Sequence, residues 1–296
     1  MMELESVRIF VKVADLASFT RAGEQLGLPK SRVSLRVKAL EAELGSRLLQ
    51  RTTRAVRLTP DGEQFLARAR ILVDEVDELS TMFQATSTLR GRVRVDLPIA
   101  FARTFVLPRL PELLTKHPQL ELLVSTTDRY VDIVREGFDC VLRIGALQDS
   151  GMVARRLGVL SMMNYASAGY IRRFGLPRTV EDLDRHQLVH YSTMLGGHEP
   201  CFEYRRAGRW VTRPMRSVLT VNNTDAYESA CVAGLGIIQA PRHGDHVTRG
   251  QLVEILPEHT CEPLPVSLVH GHGRDVPKRV RAVLSFLASC MAPAVG

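Results

Sequence analysis

Apolar positions recur every three or four residues through the first part of the chain, which is the spacing of helices that pack on one face. The pattern predicts a helix over residues 3–16 and a second helix that Ser18 caps and Gly27 ends. A third helix begins near Pro29 and ends at Gly45. Two helices joined by so short a turn are typical of a helix-turn-helix.

The third helix combines one apolar face with a cationic surface. Its apolar residues recur at steps of four, three and four, and they are Val33, Val37, Leu40 and Leu44. The first acid on this helix is Glu41. After the helix, the segment 48–58 contains β-branched residues and predicts a two-stranded wing. Arginines lie at the wing and its border, and they are Arg47, Arg51, Arg54 and Arg57.

A longer helix is predicted from Thr59, its N-cap, and Pro60 at its first position. Its apolar positions recur at alternating steps of four and three through about three repeats, the pattern of a coiled coil. We predict that this helix dimerises; packing of the same stripe on the N-terminal domain is the alternative. The predicted seam consists of Phe65, Ala69, Leu72, Val76, Leu79 and Phe83. Residues 85–92 are small and polar and predict a hinge.

Beyond Gly91, strand-like runs alternate with helical stretches, which predicts open α/β sheets with mostly parallel strands. About 200 residues favour two lobes over one sheet. Ligands of such folds lie at the carboxyl ends of strands, often in a cleft between lobes. The predicted strands are Val93–Leu97, Leu120–Ser125, Asp139–Ile144, Leu188–Tyr191, Val218–Asn222, Gly236–Gln239, Leu252–Leu256 and Val266–His270. The predicted helices are Thr104–Lys116, Tyr130–Glu136, Val180–Arg185, Thr224–Ala233 and Val276–Met291.

Charge separates the first domain from the rest of the chain. Residues 1–60 hold eleven Lys or Arg against six Asp or Glu, whereas residues 61–90 hold three against six. A cationic helix beside a cationic ribbon suits duplex DNA, with the helix in the major groove. The absence of a long apolar run predicts no membrane span, and Glu3 and Glu5 argue against a secretory signal. We therefore expect a cytoplasmic protein.

Side chains that support catalysis or metal binding form no recognisable motif, so we expect no enzyme and no metal site. The histidine pairs His243 with His246 and His270 with His272 lack nearby ligand partners. The cysteines are widely spaced, which predicts free thiols. A thiol redox switch, with Cys201 as its test position, is the alternative. The five cysteines are Cys140, Cys201, Cys231, Cys261 and Cys290.

Over its whole length the chain resembles the LysR-type transcriptional regulators. Residues 18–63 carry the signature of that family, SFTRAGEQLGLPKSRVSLRVKALEAELGSRLLQRTTRAVRLTPDGE. The C-terminal part carries similar motifs in Phe138–Gly145, Ala154–Gly158 and Ala233–Ile237.

The resemblance implies a winged helix-turn-helix domain over residues 1–60 and a dimerising linker helix with its hinge over 61–90. It also implies a periplasmic-binding-protein-like effector domain over 91–296. Subdomain I of that domain would comprise about 91–161 and 268–296, and subdomain II about 162–267. Such regulators bind promoter DNA as homodimers or homotetramers, respond to a small molecule without any cofactor, and act on RNA polymerase.

Site residues follow from the same resemblance. The residues implied in DNA binding are Ser18, Thr20, Lys30, Ser31, Arg32, Ser34, Arg36, Arg51 and Arg54. Arg36 is the predicted guanine reader, and Arg54 is the predicted minor-groove residue. Two positions depart from the family: Gly23 replaces the usual alanine, and Leu35 stands where a basic or polar residue is frequent.

The implied effector site lies between the two subdomains. Its residues are Ile99, Ala100, Phe101, Thr126, Thr127, Arg143, Gly145, Asn223 and Thr224. The first loop has no hydroxyl before Thr104, which leaves an apolar or aromatic effector as open as a carboxylate. Arg143 either binds an anion or forms an ion pair within the domain, and Asn223 either binds the effector or caps the next helix.

The leading hypothesis is a sequence-specific DNA-binding regulator controlled by a metabolite. A solute-binding receptor would leave the basic N-terminal domain unexplained. An enzyme built on the two-lobed domain and a regulator triggered by cysteine oxidation are the remaining alternatives.

Overall fold

The computed structural model describes residues 2–51, 56–81, 89–147, 151–196, 199–242, 245–273 and 276–296. The chain divides into two compact units. The N-terminal unit comprises Met1–Ser87 with Asp132–Gly137, and the C-terminal unit comprises Thr88–Val131 with Phe138–Gly296.

The N-terminal unit consists of helices and one two-stranded ribbon. Its elements are α1 (Leu4–Leu16), α2 (Phe19–Leu26), α3 (Lys30–Leu44), β1 (Leu49–Arg51), β2 (Val56–Leu58) and α4 (Pro60–Thr81). Ser18 Oγ accepts a hydrogen bond from Arg21 N at 3.3 Å, and Gly27 and Gly45 both adopt a φ of 65°. The predicted cap and both predicted helix ends are therefore confirmed. β1 and β2 pair antiparallel as the wing.

The core of the N-terminal unit contains most of the predicted apolar stripe of α3. Val33, Val37 and Leu40 are at most 1% exposed, but Leu44 is 39% exposed, so its predicted burial was wrong. Leu44 lies in the last turn of α3, and beyond it the core is closed by Leu48.

The first turns of α4 also belong to this core. Thr59 Oγ1 accepts a hydrogen bond from Gly62 N at 2.9 Å, which confirms the predicted cap. Ala69 is 3% exposed, and the ring of Phe65 lies 5.4 Å from that of Phe10. Phe65 and Ala69 thus pack on the N-terminal domain, as the alternative for this stripe required.

The strands β3 to β14 and the helices α5 to α11 follow. The strands are β3 (Arg90–Leu97), β4 (Gln119–Thr126), β5 (Cys140–Ile144), β6 (Val153–Leu160), β7 (Met162–Ser167), β8 (Gln187–Tyr191), β9 (Cys201–Arg206), β10 (Arg209–Pro214), β11 (Arg216–Val221), β12 (Ile238–Pro241), β13 (Leu252–Glu254) and β14 (Leu264–His270). The helices are α5 (Ile99–Phe101), α6 (Leu110–Lys116), α7 (Ile133–Glu136, in the N-terminal unit), α8 (Ala168–Phe174), α9 (Thr224–Val232), α10 (Asp245–Thr248) and α11 (Lys278–Met291).

Two lobes form the C-terminal unit. The first has a five-stranded sheet in the order β4-β3-β5-β14-β6, with α11 packed on its core. The second has a three-stranded sheet, β12-β7-β13, beside the pairs β8–β11 and β9–β10. The chain returns to the first lobe at Leu264, slightly before the predicted boundary at residue 268.

The prediction of mostly parallel strands was wrong, because both lobes are mixed. β3 runs parallel to β4 and β5, but β14 is antiparallel to β5 and β6. In the second lobe, β8 and β11 are parallel, while β7 is antiparallel to both of its neighbours. Across the described residues, every helix is too short or too polar to be a candidate membrane span.

Candidate nucleic-acid interface and effector site

The surface of α3 opposite its buried stripe is exposed and cationic. Val33, Val37 and Leu40 face the core, and the opposite face presents Ser31 and Lys38 to solvent. Residues three and four apart are neighbours on a helix surface, so these side chains form a continuous strip. The exposed residues of this strip and its flanks are Lys30, Ser31, Arg32, Leu35, Lys38 and Ala39.

Arg36 is engaged within the N-terminal unit. Its Nη1 donates a hydrogen bond to Glu3 Oε2, and its Nη2 lies 3.4 Å from Glu5 Oε2. The side chain is 29% exposed and lies against the start of α1. Arg36 therefore faces carboxylates in this structure rather than the exposed strip, which does not favour its predicted role as the guanine reader.

The other predicted DNA-binding residues divide into three groups. Ser18 caps α2, and Thr20 is exposed in the first turn of that helix. Arg32 is exposed and lies 4.0 Å from Glu5, whereas Ser34 is half-buried. The side chain of Arg51 and the whole of Arg54 lie outside the described residues.

The wing lies beside the C-terminal half of α3. Lys38 and Arg47 line one surface depression together with Gln50. The carboxylate of Glu41 accepts hydrogen bonds from the backbone N–H groups of Leu48 and Leu49 at 2.9 and 3.0 Å. Glu41 thus fixes the start of the wing to α3, and its negative charge is directed at backbone amides.

The distal half of the α4 seam is more exposed than its first turns. Leu72 is 38% exposed, Leu79 is 60% exposed and Val76 is half-buried. Phe83 lies outside the described residues. Leucines this exposed on a helix leave apolar surface in water, which a second copy of the helix could cover.

In the first lobe, Arg143 forms a buried ion pair. Its Nη1 lies 3.2 Å from Asp96 Oδ2, and Asp96 is fully buried. Arg143 Nη2 also donates to the carbonyl oxygen of Val131, and the guanidinium lies 5.5 Å from the Tyr130 ring centroid. Burial raises the pKa of Asp96, and hydrogen bonds from Ser125 and Arg143 oppose that shift. Of the two predicted roles of Arg143, the structure shows the ion pair.

Asp128 joins the two lobes through backbone amides at the start of two helices. Its Oδ1 accepts a hydrogen bond from Ile99 N at 3.0 Å, and its Oδ2 accepts one from Thr224 N at 2.6 Å. Ile99 begins α5 and Thr224 begins α9. The amides that would hold an anion at these helix ends therefore hold a carboxylate of the chain itself.

A second ion pair links the same lobes, because Arg103 Nη1 lies 2.7 Å from Asp225 Oδ1. Asp128 and Arg103 lie in the loops that were predicted to border the effector site, but neither was among the predicted effector-binding residues. The available signal was a carboxylate two residues beyond β4, at the strand end where ligands bind. Sequence does not show that Thr224, 96 positions away, meets it.

The remaining predicted effector residues lie around these contacts. Asn223 Oδ1 accepts from Ala226 N at 2.8 Å and so caps α9, and Thr127 Oγ1 donates to Asp96 at 3.3 Å. Gly145 has a φ of 96° and donates its N–H to Pro265 O. Ala100 is half-buried, Phe101 is buried and Thr126 is exposed. Thr224 Oγ1 is buried without a hydrogen-bond partner.

The described residues give little support to a thiol redox switch or to a metal site. All five cysteines are free, and Cys201 is the exposed one. Partial burial raises the pKa of Cys201, which disfavours the reactive thiolate. Among the side chains that the structure describes, no three His, Cys, Asp or Glu residues lie close enough together to hold a metal ion.

A winged helix-turn-helix, a long helix and a two-lobed α/β domain define a DNA-binding transcriptional regulator with an effector domain. Two family models match the chain: "Bacterial regulatory helix-turn-helix protein, lysR family" over residues 4–63, and "LysR substrate binding domain" over residues 86–292. The chain belongs to the LysR family of transcriptional regulators.

Relatives with known names agree with this assignment. The chain is 43% identical to the uncharacterized HTH-type transcriptional regulator YhjC of Escherichia coli (strain K12), over 98% of both chains. It is 35% identical to an HTH-type transcriptional repressor of Pseudomonas aeruginosa (strain UCBPP-PA14), over 99% of this chain and 93% of that one. The structure of CrgA, a LysR-type transcriptional regulator from Neisseria meningitidis, matches with a TM-score of 0.61 at 29% identity, over 96% of this chain and 97% of that one.

The protein is therefore a sequence-specific DNA-binding transcriptional regulator, and a small molecule bound in its C-terminal domain modulates its action on promoters. It is not an enzyme.

Proposed function

We propose that the protein binds its promoter as a homodimer, with one α3 helix in each of two successive major grooves. The observation that carries this proposal is the exposed strip of α3, where Lys30, Arg32 and Lys38 face solvent. Dimers of helix-turn-helix proteins place their reading helices about 34 Å apart, one turn of duplex DNA. The operator would then be an inverted repeat, with the wing and Arg54 at the adjacent minor groove.

The distal seam of α4 supports the dimer, since Leu72 and Leu79 are exposed on one helix. We propose that two dimers form the homotetramer and that the assembly acts on RNA polymerase at the promoter. A regulator that binds chromosomal DNA works where that DNA is, so we place it in the cytoplasm.

Salt-dependent binding to the DNA upstream of its own gene tests the α3 assignment. Each lysine on a phosphate releases counterions, so Lys30→Ala in both copies of a dimer should lower the slope of log K against log salt by about 2. Lys116→Ala is the control, because it removes an exposed lysine from α6 and leaves α3 intact. Equal slopes for wild type and Lys30→Ala would contradict the placement of α3.

For the effector we propose an uncharged small molecule that binds between the lobes near Ile99, Phe101, Thr127 and Thr224. Two features support this class. Arg143 is paired with Asp96, and the amides at the starts of α5 and α9 already hold Asp128. An anionic effector would have to displace one of these carboxylates, at a cost that an uncharged molecule avoids.

A panel of paired compounds, each a carboxylic acid and its neutral amide, tests this class by its effect on the thermal unfolding midpoint of the full-length protein. Wild type should respond to amides and not to the acids. Asp128→Asn should respond to both, because the substitution removes the internal carboxylate. A carboxylate that stabilises wild type more than its amide would contradict the proposal.

A further inference from the structure

Leu35 is an exposed leucine at the centre of the surface with which α3 would meet DNA. It is 68% exposed and lies one turn after Ser31 and one turn before Ala39, on the side of α3 opposite Val33 and Val37. A single exposed leucine is ordinary on a protein surface. The residues around Leu35 are what indicate a functional role for this leucine.

Cations flank Leu35 along the helix. Arg32 precedes it by three residues and Lys38 follows it by three, and both are exposed. Arg32 lies 4.0 Å from Glu5, but its side chain is 54% exposed, against 29% for Arg36. The acids of α3, Glu41 and Glu43, both lie in the C-terminal part of the helix, and Glu41 is bonded to the start of the wing. A partner complementary to this surface is therefore a polyanion. It also presents an apolar group at the point where the side chain of Leu35 contacts it.

The neighbouring guanidinium does not take over the role of Leu35. Arg36 is held by Glu3 and Glu5 at the start of α1, so it is directed away from the exposed strip. The centre of the strip thus presents a branched aliphatic side chain where a hydrogen-bonding reader would otherwise stand.

Duplex DNA offers one apolar group in its major groove, the C5-methyl group of thymine. We propose that Leu35 is a specificity residue that reads this methyl group, so that each operator half-site contains a thymine opposite Leu35. The flanking cations bind the phosphates on either side and hold the leucine at the base edges. This inference rests on the proposed placement of α3 in the major groove.

Replacement of thymine by uracil isolates the contact, because uracil lacks the methyl group and keeps the same hydrogen-bonding edge. The probe is a duplex that the full-length wild-type protein selects from a randomised pool, together with variants that carry uracil at each thymine in turn. One pair of symmetric positions should weaken binding about fourfold when one half-site carries uracil and about fifteenfold when both do, the loss expected for one methyl group in each half-site.

Protein variants show which side chain makes the contact. Leu35→Ser should remove the uracil effect at that position, and Leu35→Met, which keeps an apolar side chain, should retain it. Leu44→Ser is the matched control, since Leu44 is the other exposed leucine of α3 but lies on the same side of the helix as Val37 and Leu40, away from the exposed strip. It should leave the uracil effect unchanged. Thermal unfolding of each variant verifies that the N-terminal unit is folded.

The outcomes separate two failures. If wild type selects no duplex from the pool, the placement of α3 in the major groove is wrong, and this inference falls with it. If wild type selects an operator but no uracil substitution weakens binding, DNA reading stands and the thymine contact is wrong. A uracil effect that Leu35→Ser leaves intact would likewise overturn the assignment to Leu35.

Discussion

At Gly23 the surrounding backbone leaves no room for a β-carbon. A β-carbon at this position of α2 would lie 2.6 Å from the carbonyl oxygen of Leu28, in the turn that leads to α3. Such a distance requires the turn or the helix to shift. The alanine that is usual in the family therefore does not fit this turn, and the glycine is explained by the close approach of two backbone segments.

Gly23→Ala should lower the stability of the N-terminal unit, although alanine ordinarily stabilises a helix by about 1 kcal/mol over glycine. Overpacking of this kind costs about 1–3 kcal/mol, so we expect a net loss. Far-UV circular dichroism during urea unfolding measures it, because the N-terminal unit is largely helical.

Gly169→Ala in α8 is the matched control for this substitution. The side-chain atom nearest to its added β-carbon, Arg172 Nη2, would be 3.8 Å away, an ordinary contact, so this variant should gain about 1 kcal/mol. Stabilisation by both substitutions would show that Leu28 does not approach Gly23 so closely.

Arg143→Met tests the buried ion pair of the first lobe. The substitution leaves the fully buried Asp96 without its cation, which should cost about 3–5 kcal/mol. Because protonation removes the charge of Asp96, the loss should shrink as the pH falls. The fluorescence of Trp210, the single tryptophan, reports unfolding of the C-terminal unit.

Two further variants serve as controls for the stability loss expected of Arg143→Met. Adding Asp96→Asn should recover part of the lost stability, because it removes the unpaired charge. Arg172→Met changes an exposed arginine of α8 and should change stability by less than about 0.5 kcal/mol. A single Arg143→Met variant as stable as wild type would mean that the pair contributes nothing.

At the scale of elements, the stripe of α4 has two different environments. Phe65 and Ala69 pack on the N-terminal core, whereas Leu72 and Leu79 remain exposed. We therefore expect Leu79→Glu to weaken the proposed homodimer by at least tenfold, because it would bury a carboxylate in each half of the seam. Analytical ultracentrifugation measures the dimer dissociation constant.

Gln64→Glu is the control for Leu79→Glu, since Gln64 is exposed on the same helix and outside the seam. It introduces an equal charge, so a general effect of charge on association would appear in both variants. A dimer dissociation constant unchanged by Leu79→Glu would mean that α4 packs elsewhere.

The sequence predicted those helices and strands whose buried positions recur with a regular period or whose caps have local chemistry. The caps at Ser18 and Thr59 were predictable, because their chemistry is local. β7 was missed because all six of its residues are buried, so it has no alternation. β9 was missed although Phe202 and Tyr204 alternate with more exposed neighbours, since six residues carry a weak signal.

The candidate site was less predictable than the fold for a related reason. The carboxylate with which an arginine forms an ion pair depends on packing between segments that are distant in sequence. Arg36 meets Glu3 across 33 positions, and Arg143 meets Asp96 across 47. Sequence offers the charges but not these pairings, so it indicated Arg36 as a guanine reader and left Arg143 open between an anion site and an internal ion pair.

For the whole molecule, buried histidines connect stability to pH. His117, His186 and His270 are each less than 10% exposed, and all three lie in the C-terminal unit. Burial lowers the pKa of each imidazole, so each binds its proton more weakly in the folded chain than in the unfolded chain. Their contribution to stability is therefore complete above the unfolded pKa of about 6.5 and is lost as the pH falls through the folded values.

The urea midpoint of the C-terminal unit, followed by Trp210 fluorescence, should accordingly fall between pH 7.5 and pH 6. Each imidazole contributes a slope of up to about 1.4 kcal/mol per pH unit. Burial also raises the pKa of Asp96 and Glu203, which favours the folded chain in acid and opposes the effect of the imidazoles. His186→Gln should reduce the dependence of stability on pH by the contribution of one imidazole. A midpoint that is constant or rises on acidification to pH 6 would show that the buried imidazoles do not control the stability of this unit.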